Sequence, residues 1–176
     1  MFKYLKKIFS IFLIFNLTFV SSAQAAATFV DSFDVSGQDT NPRGLRFNND
    51  GTKMFLVGND GEDVNEYTLS TGFDVSSASF VDSFDVSGQD TNPRGLRFNN
   101  DGTKMFLVGN DGDDINEYTL TTGFDVSSAS FVDSFDVSGQ DTGPVSIAFN
   151  NDGTKMFVSG NAGDDINEYT LTTGFD

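Results

Sequence analysis

Phe98 to Asp125 read FNNDGTKMFLVGNDGDDINEYTLTTGFD, and the order of its turns decides what the chain becomes. The Asp101-Gly102 pair supplies the positive φ that a tight hairpin needs. It therefore separates two antiparallel strands, Gly95 to Asn99 and Lys104 to Gly109. The polar loop NDGDD leads to a third strand, Ile115 to Thr121, and after TGFDVSSAS comes a fourth, Phe131 to Val137. Beyond the first 25 residues no window carries apolar residues at helical spacing, so the expected class is all-β. Met105 to Val108 are four consecutive apolar residues, as a strand covered on both faces requires. The FVDSFDV strand mixes Phe and Val with Asp and Ser, which suits an edge guarded by charge.

The same unit occurs three times with a period of 51 residues, over 29–79, 80–130 and 131–176. The first two copies differ only at Glu62/Asp113, Val64/Ile115 and Ser70/Thr121. The third is shorter, and its changes cluster where Asn92 to Arg97 (NPRGLR) becomes Gly143 to Ala148 (GPVSIA). Self-similarity at this period marks a stacked repeat architecture.

A four-stranded sheet, apolar in the middle and polar at one edge, repeated by rotation, is the pattern of a β-propeller blade. A β-trefoil or a β-prism is the alternative, since three four-stranded repeats build either. Single-layer prism sheets and trefoil hairpins leave one face open and have no use for the MFLV run. The stretch quoted above also resembles bacterial propeller repeats of the TolB and WD40-like families, whose blades run F-S-P-D-G into an apolar strand, a loop and an aliphatic-aromatic third strand. Asn-Asn stands here for Ser-Pro, and no Trp-Asp pair ends the third strand. The resemblance implies the fold and no particular activity.

The first 27 residues differ in kind. Lys3, Lys6 and Lys7 precede a mostly apolar run, Ile8 to Val20, and then small residues with Ala23 and Ala25 in A-x-A positions. This reads as a signal peptide, residues 1–25, cleaved before Ala26, with the propeller-like domain following over 26–176. The apolar run is short for a membrane span, so the product is expected to be secreted or periplasmic and not membrane-spanning once cleaved. The net charge of −16 argues against nucleic-acid binding. The absence of His and Cys removes imidazole bases, thiolate nucleophiles, the usual zinc sites and disulfides.

Propeller ligands commonly meet the loops joining the fourth strand to the next first strand, and the second to the third. On those loops Asp39, Arg43, Asp90, Arg94 and Asp141 are candidate ligand-binding residues. Asp60, Glu62, Asp63, Asp111, Asp113, Asp114, Asp164 and Asp165 are candidate calcium ligands, being hard oxygen donors. Their spacing matches neither an EF-hand nor a nonapeptide calcium repeat, and turn chemistry with solvated acidity is the competing account. Apart from Ca²⁺ no cofactor is expected. Arg46 and Arg97, inside strands, are expected to pair with Glu66 and Glu117, while Lys53, Lys104 and Lys155 are expected to stay solvated. A glutamate that recurs in the same phrase of every blade reads as a blade requirement, not as an active site.

The residues thus point to a secreted, non-enzymatic binding or adhesion module with a protein or glycan ligand. A structural, self-assembling unit is the alternative, and an extracellular hydrolase the third reading. Because the chain opens on a fourth-strand phrase (Phe29 to Val35) and closes after a third strand (Ile166 to Thr172), a homodimer exchanging that strand to complete a ring is also expected.

Overall fold

Each NDGT phrase closes a hairpin, with Gly51, Gly102 and Gly153 at φ of 74°, 75° and 71°. In the computed structural model, which describes residues 27–176, these hairpins grow into three antiparallel meanders. Blade 1 is β1 (Pro42–Phe47), β2 (Lys53–Gly58), β3 (Asp63–Leu69) and β4 (Ala78–Asp85). Blade 2 repeats it as β5 (Pro93–Phe98), β6 (Lys104–Gly109), β7 (Asp114–Leu120) and β8 (Ala129–Asp136). Blade 3 has three strands, β9 (Pro144–Phe149), β10 (Lys155–Gly160) and β11 (Ile166–Thr170). Single 3₁₀ turns, Val75–Ser77 and Val126–Ser128, precede the two outer strands, held by Asp74 and Asp125, which accept from Ser76 N and Ser127 N. The chain divides into one unit, Met1–Val30, and a second, Asp31–Asp176, which carries all of these strands.

The blades are stacked face to face, and blade 2 is covered on both sides. Met105 and Leu107 pack on Phe55, Val57 and Val64 of blade 1, while Phe106, Val108 and Ile115 pack on Ile147, Met156 and Val158 of blade 3. Alternate side chains of one strand thus feed two different cores, which is why the MFLV run is continuously apolar. The inner strands β1, β5 and β9 converge so closely that a Cβ on Gly44 would lie 2.7 Å from the Arg94 carbonyl oxygen, and one on Gly95 2.7 Å from that of Val145. Convergence of inner strands and two-sided packing of the middle sheet are properties of propeller blades, and a trefoil or prism offers neither. The fold is an all-β array of propeller blades.

Several boundaries move. The inner strands begin at proline, two residues earlier than Gly95 implies, and the third strands begin at Asp63 and Asp114. The outer strands run Ala78–Asp85 and Ala129–Asp136, and β11 stops at Thr170, short of Thr172. The opening phrase, Phe29 to Val35, is not a strand, and among the described residues no third strand lies beside it to complete its hydrogen bonds. The signal-peptide reading, with its boundary before Ala26, lies outside the described residues. No helix among those described is long and apolar enough to cross a membrane.

The basic residues also find other partners than expected. Lys53 Nζ sits 2.6 Å from Glu66 Oε1 and also donates to the Phe124 carbonyl of blade 2, so it is half-buried and paired rather than free in solvent. Lys104 pairs with Glu117 and Asp176, and Lys155 with Glu168. The reason is register: Lys53 and Glu66 flank the same β2–β3 ladder, whereas Arg46 donates to the Leu45 carbonyl and Arg97 reaches the Ile147 carbonyl of the next blade.

Candidate functional site

The loops entering β1, β5 and β9 meet the loops between the second and third strands at one end of the blades. Thr40 donates to Asp60 and Thr91 to Asp111, and Asn59 N and Asn110 N bond to the carbonyls of Asn41 and Asn92. The expected loop face therefore exists, and it is lined with acids.

Asp39, Asp90 and Asp141 lie beneath that face, at most 2% exposed. Each folds over the glycine ending the second strand, where a Cβ would collide with the carboxylate. Each ties loops together: Asp39 accepts from Asn41 N (2.6 Å) and Gly61 N (3.2 Å), Asp90 from Asn92 N (2.6 Å), and Asp141 from Gly143 N (2.8 Å) and Ala162 N (3.4 Å). Burial raises the Asp90 carboxyl above the usual carboxylate range, opposed by the Asn92 hydrogen bond and aided by Asp111 and Asp114. These three pin the loops together from beneath and present almost no surface to solvent. Arg43 is exposed and Arg94 half-buried.

Glu62, Asp113 and Asp164 occupy the left-handed region at φ of 53°, 53° and 54°. Their place is set by the turn, where a short polar side chain is tolerated and Glu62 is a strained choice. Among the described residues no group of three or more acids gathers as a metal ion would require. Asp60 and Asp111 are held by threonine, and Asp164 and Asp165 stand on the loop of the outermost blade.

Asp63 and Asp114 differ from the rest, because the sheet sets a second carboxylate beside each. Asp63 lies opposite Asp85 and Asp114 opposite Asp136, the first pair of each ladder. Burial first, then repulsion from Asp136 and Asp113, raises Asp114 against the hydrogen bond from Asn116 Nδ2 (2.8 Å). Asp136 is lowered, since the Ser138 hydroxyl and backbone N–H both donate to it. Asp63 and Asp85 repeat the split, with burial raising the first and Ser87 lowering the second. Two carboxylates pushed apart in this way are the arrangement from which acid and base roles are made. The sequence reading missed Asp85 and Asp136. Their signal was the FDVSG phrase, in which serine two residues on caps the aspartate.

Two cavities lie elsewhere. The larger, about 470 Å³, is lined by Phe106, Ile115, Glu117, Phe135 and Met156. One blade earlier, Val126 fills that place and donates its N–H to Glu66. The smaller, about 310 Å³, is the open face of blade 1, lined by Phe33, Val35, Leu45, Met54 and Leu56. The first is a seam between blades 2 and 3, and the second is a face that no other described blade covers.

No protein-family model matches the chain, and no curated protein matches it. Solved structures do. The periplasmic gluconolactonase of Pseudomonas aeruginosa is 18% identical with a TM-score of 0.55, over 73% of this chain and 35% of its own. A Bacteroides uniformis protein assigned as a 6-phosphogluconolactonase is 14% identical with a TM-score of 0.56, over 74% and 37%. A Lactobacillus plantarum protein is 18% identical with a TM-score of 0.58, over 74% and 38%. The chain thus spans well under half the length of these structures. At such identity the likeness shows the fold alone, that of β-propeller blades. Two of these three are named as lactonases, which corrects the reading of a non-enzymatic binding or adhesion module.

Proposed function

We propose that the chain contributes blades to a propeller hydrolase that opens a lactone, with the Asp114–Asp136 pair and its repeat Asp63–Asp85 as the reacting carboxylates. The observation that carries the reading is the split of each pair at the loop end of blades whose fold is that of gluconolactonase-type structures. Opening a cyclic ester needs a base to take a proton from water as its oxygen attacks the carbonyl carbon, after which the ring oxygen leaves and is protonated. A carboxylate raised by burial is a stronger base than an ordinary one. Asp114, raised chiefly by burial, fills that role, and the lowered Asp136 stays ionised beside it. The net charge of −16 favours a neutral sugar lactone over a phosphorylated one. Export to the periplasm or beyond, proposed from residues 1–25, would place the activity outside the cytoplasm. A finer kinship with TolB and WD40-like repeats rests on the Asp-Gly turn and its flanking strands.

Acid release from glucono-δ-lactone by the purified full chain tests this. The wild type should exceed buffer, and Asp114→Asn with Asp63→Asn should lose ~10²-fold or more of that excess. Since the base works deprotonated, the rate should climb with pH through a midpoint above the ordinary carboxylate value and then level. A wild-type rate equal to buffer overturns the proposal.

A further inference from the structure

Blades 1 and 2 each end in an outer strand that runs ASFVDSFDV, at 78–86 and 129–137. The same phrase, with Thr28 for serine, stands at 27–35. Although it is no strand, Phe33 stands edge-on to Tyr67 with ring centroids 5.7 Å apart and planes at 79°. That repeats Phe84 on Tyr118 (5.6 Å, 81°) and Phe135 on Tyr169 (5.3 Å, 82°), where the phenylalanine belongs to one blade's outer strand and the tyrosine to the next blade. Gln38 likewise receives the Tyr67 hydroxyl, as Gln89 receives that of Tyr118 and Gln140 that of Tyr169. Asp31–Val35 therefore lies against blade 1 where the outer strand of a preceding blade would lie, with no third strand beside it among the described residues.

The far end of the array shows the complementary feature. β11 pairs only with β10 among the described strands, and Ile166 is 67% exposed where Val64 and Ile115 are buried. Tyr67 and Tyr118 each touch two phenylalanines, and Tyr169 touches one.

We propose that β11 takes the Asp31–Val35 segment of a second copy as its fourth strand, and that the exchange is mutual, so that two chains close a six-bladed ring. Carrying the β7–β8 register forward places Asp165 opposite the partner's Asp34, Ile166 opposite the partner's Phe33 and Tyr169 opposite the partner's Phe29. The partner's open blade 1 face, the groove of Leu45, Met54 and Leu56, then covers Ile166 and Phe157, the counterparts of residues that blades 1 and 2 already bury against a neighbour. Six blades fall within the usual range, ~4 to 8, and give β11 the fourth strand that β3 and β7 already have.

The third repeat supports a join of its own kind. Toward blade 2 its changes stay aliphatic, Ile147 for Leu96 and Val158 for Leu107. On the opposite side Ser146, Ala148 and Ser159 replace Gly95, Arg97 and Val108, the residues with which blade 2 approaches and grips blade 3. The two copies therefore meet along the outer strand and through Phe157 and Ile166, while Ser146 and Ser159 hold the inner side further apart.

The chain has no cysteine, so a paired substitution reports the contact cleanly. Asp34→Cys with Asp165→Cys in the full chain, oxidised and run under denaturing conditions, should give a band of twice the chain mass that reductant collapses. Asp63→Cys with Asp85→Cys, the matching pair inside blade 1, serves as the positive control and should cross-link within one chain. Light scattering on the unmodified chain should give two copies per particle. A cross-link confined to single chains, or no cross-link while the control closes, overturns the proposal, and so does a monomeric mass.

Discussion

One lysine–glutamate pair occurs three times in the same phrase, and its surroundings decide what it contributes. Glu66 is 2% exposed, Glu117 15% and Glu168 50%. Glu66 also accepts from Val126 N of the next blade. Removing one member of a buried pair leaves the other charge uncompensated, whereas an exposed pair is worth little. Lys53→Ala should therefore destabilise the fold by about 2–3 kcal/mol and Lys155→Ala by less than about 1 kcal/mol, as denaturant midpoints would read. Equal effects would mean that the blades do not exclude water from Glu66. The sequence announced the three pairs only as repeated letters, because burial of Glu66 comes from a neighbour 60 residues away.

Among elements, the inner strands are the tightest fit. Gly95 is needed because the Val145 carbonyl lies where its side chain would be, and Val108 crowds the same spot at 2.6 Å. Gly95→Ala should force β5 and β9 apart, costing about 1–3 kcal/mol as overpacking does. Ser146→Gly, at the matching place in blade 3, relieves no such contact and should lose only the entropy of a strand glycine, below ~1 kcal/mol. Thermal unfolding of the two variants measures the contrast. The hairpins themselves were legible from NDGT and MFLV, since turn and strand chemistry is local. Which of the GPVSIA changes face blade 2 was not, because only stacking shows which side of a strand meets a neighbouring blade.

For the molecule as a whole, a charge of −16 sets the response to ions. With no trio of acids gathered among the described residues, millimolar Ca²⁺ and Mg²⁺ should raise the unfolding temperature alike, by screening. A rise specific to Ca²⁺ would show that the loop acids converge after all, by mass action on a site. Function moved furthest from the first reading. Export and acidic loops suggested a binding module, whereas the proposed hydrolase rests on likeness of fold to structures named as lactonases and on the carboxylates paired across β7 and β8.

The sequence by itself determined the period, the strands, the turns and the all-β class, because each rests on contacts within a few residues. It also placed the acids at one end, since strand length fixes which loops share a side. Only the tertiary structure decided that Asp39, Asp90 and Asp141 are covered, that Asp114 faces Asp136, that lysine and not arginine meets Glu66, and that Phe33 lies on Tyr67. Those depend on register and on the neighbouring blade, and near-identical repeats carry no mark of which neighbour they will have.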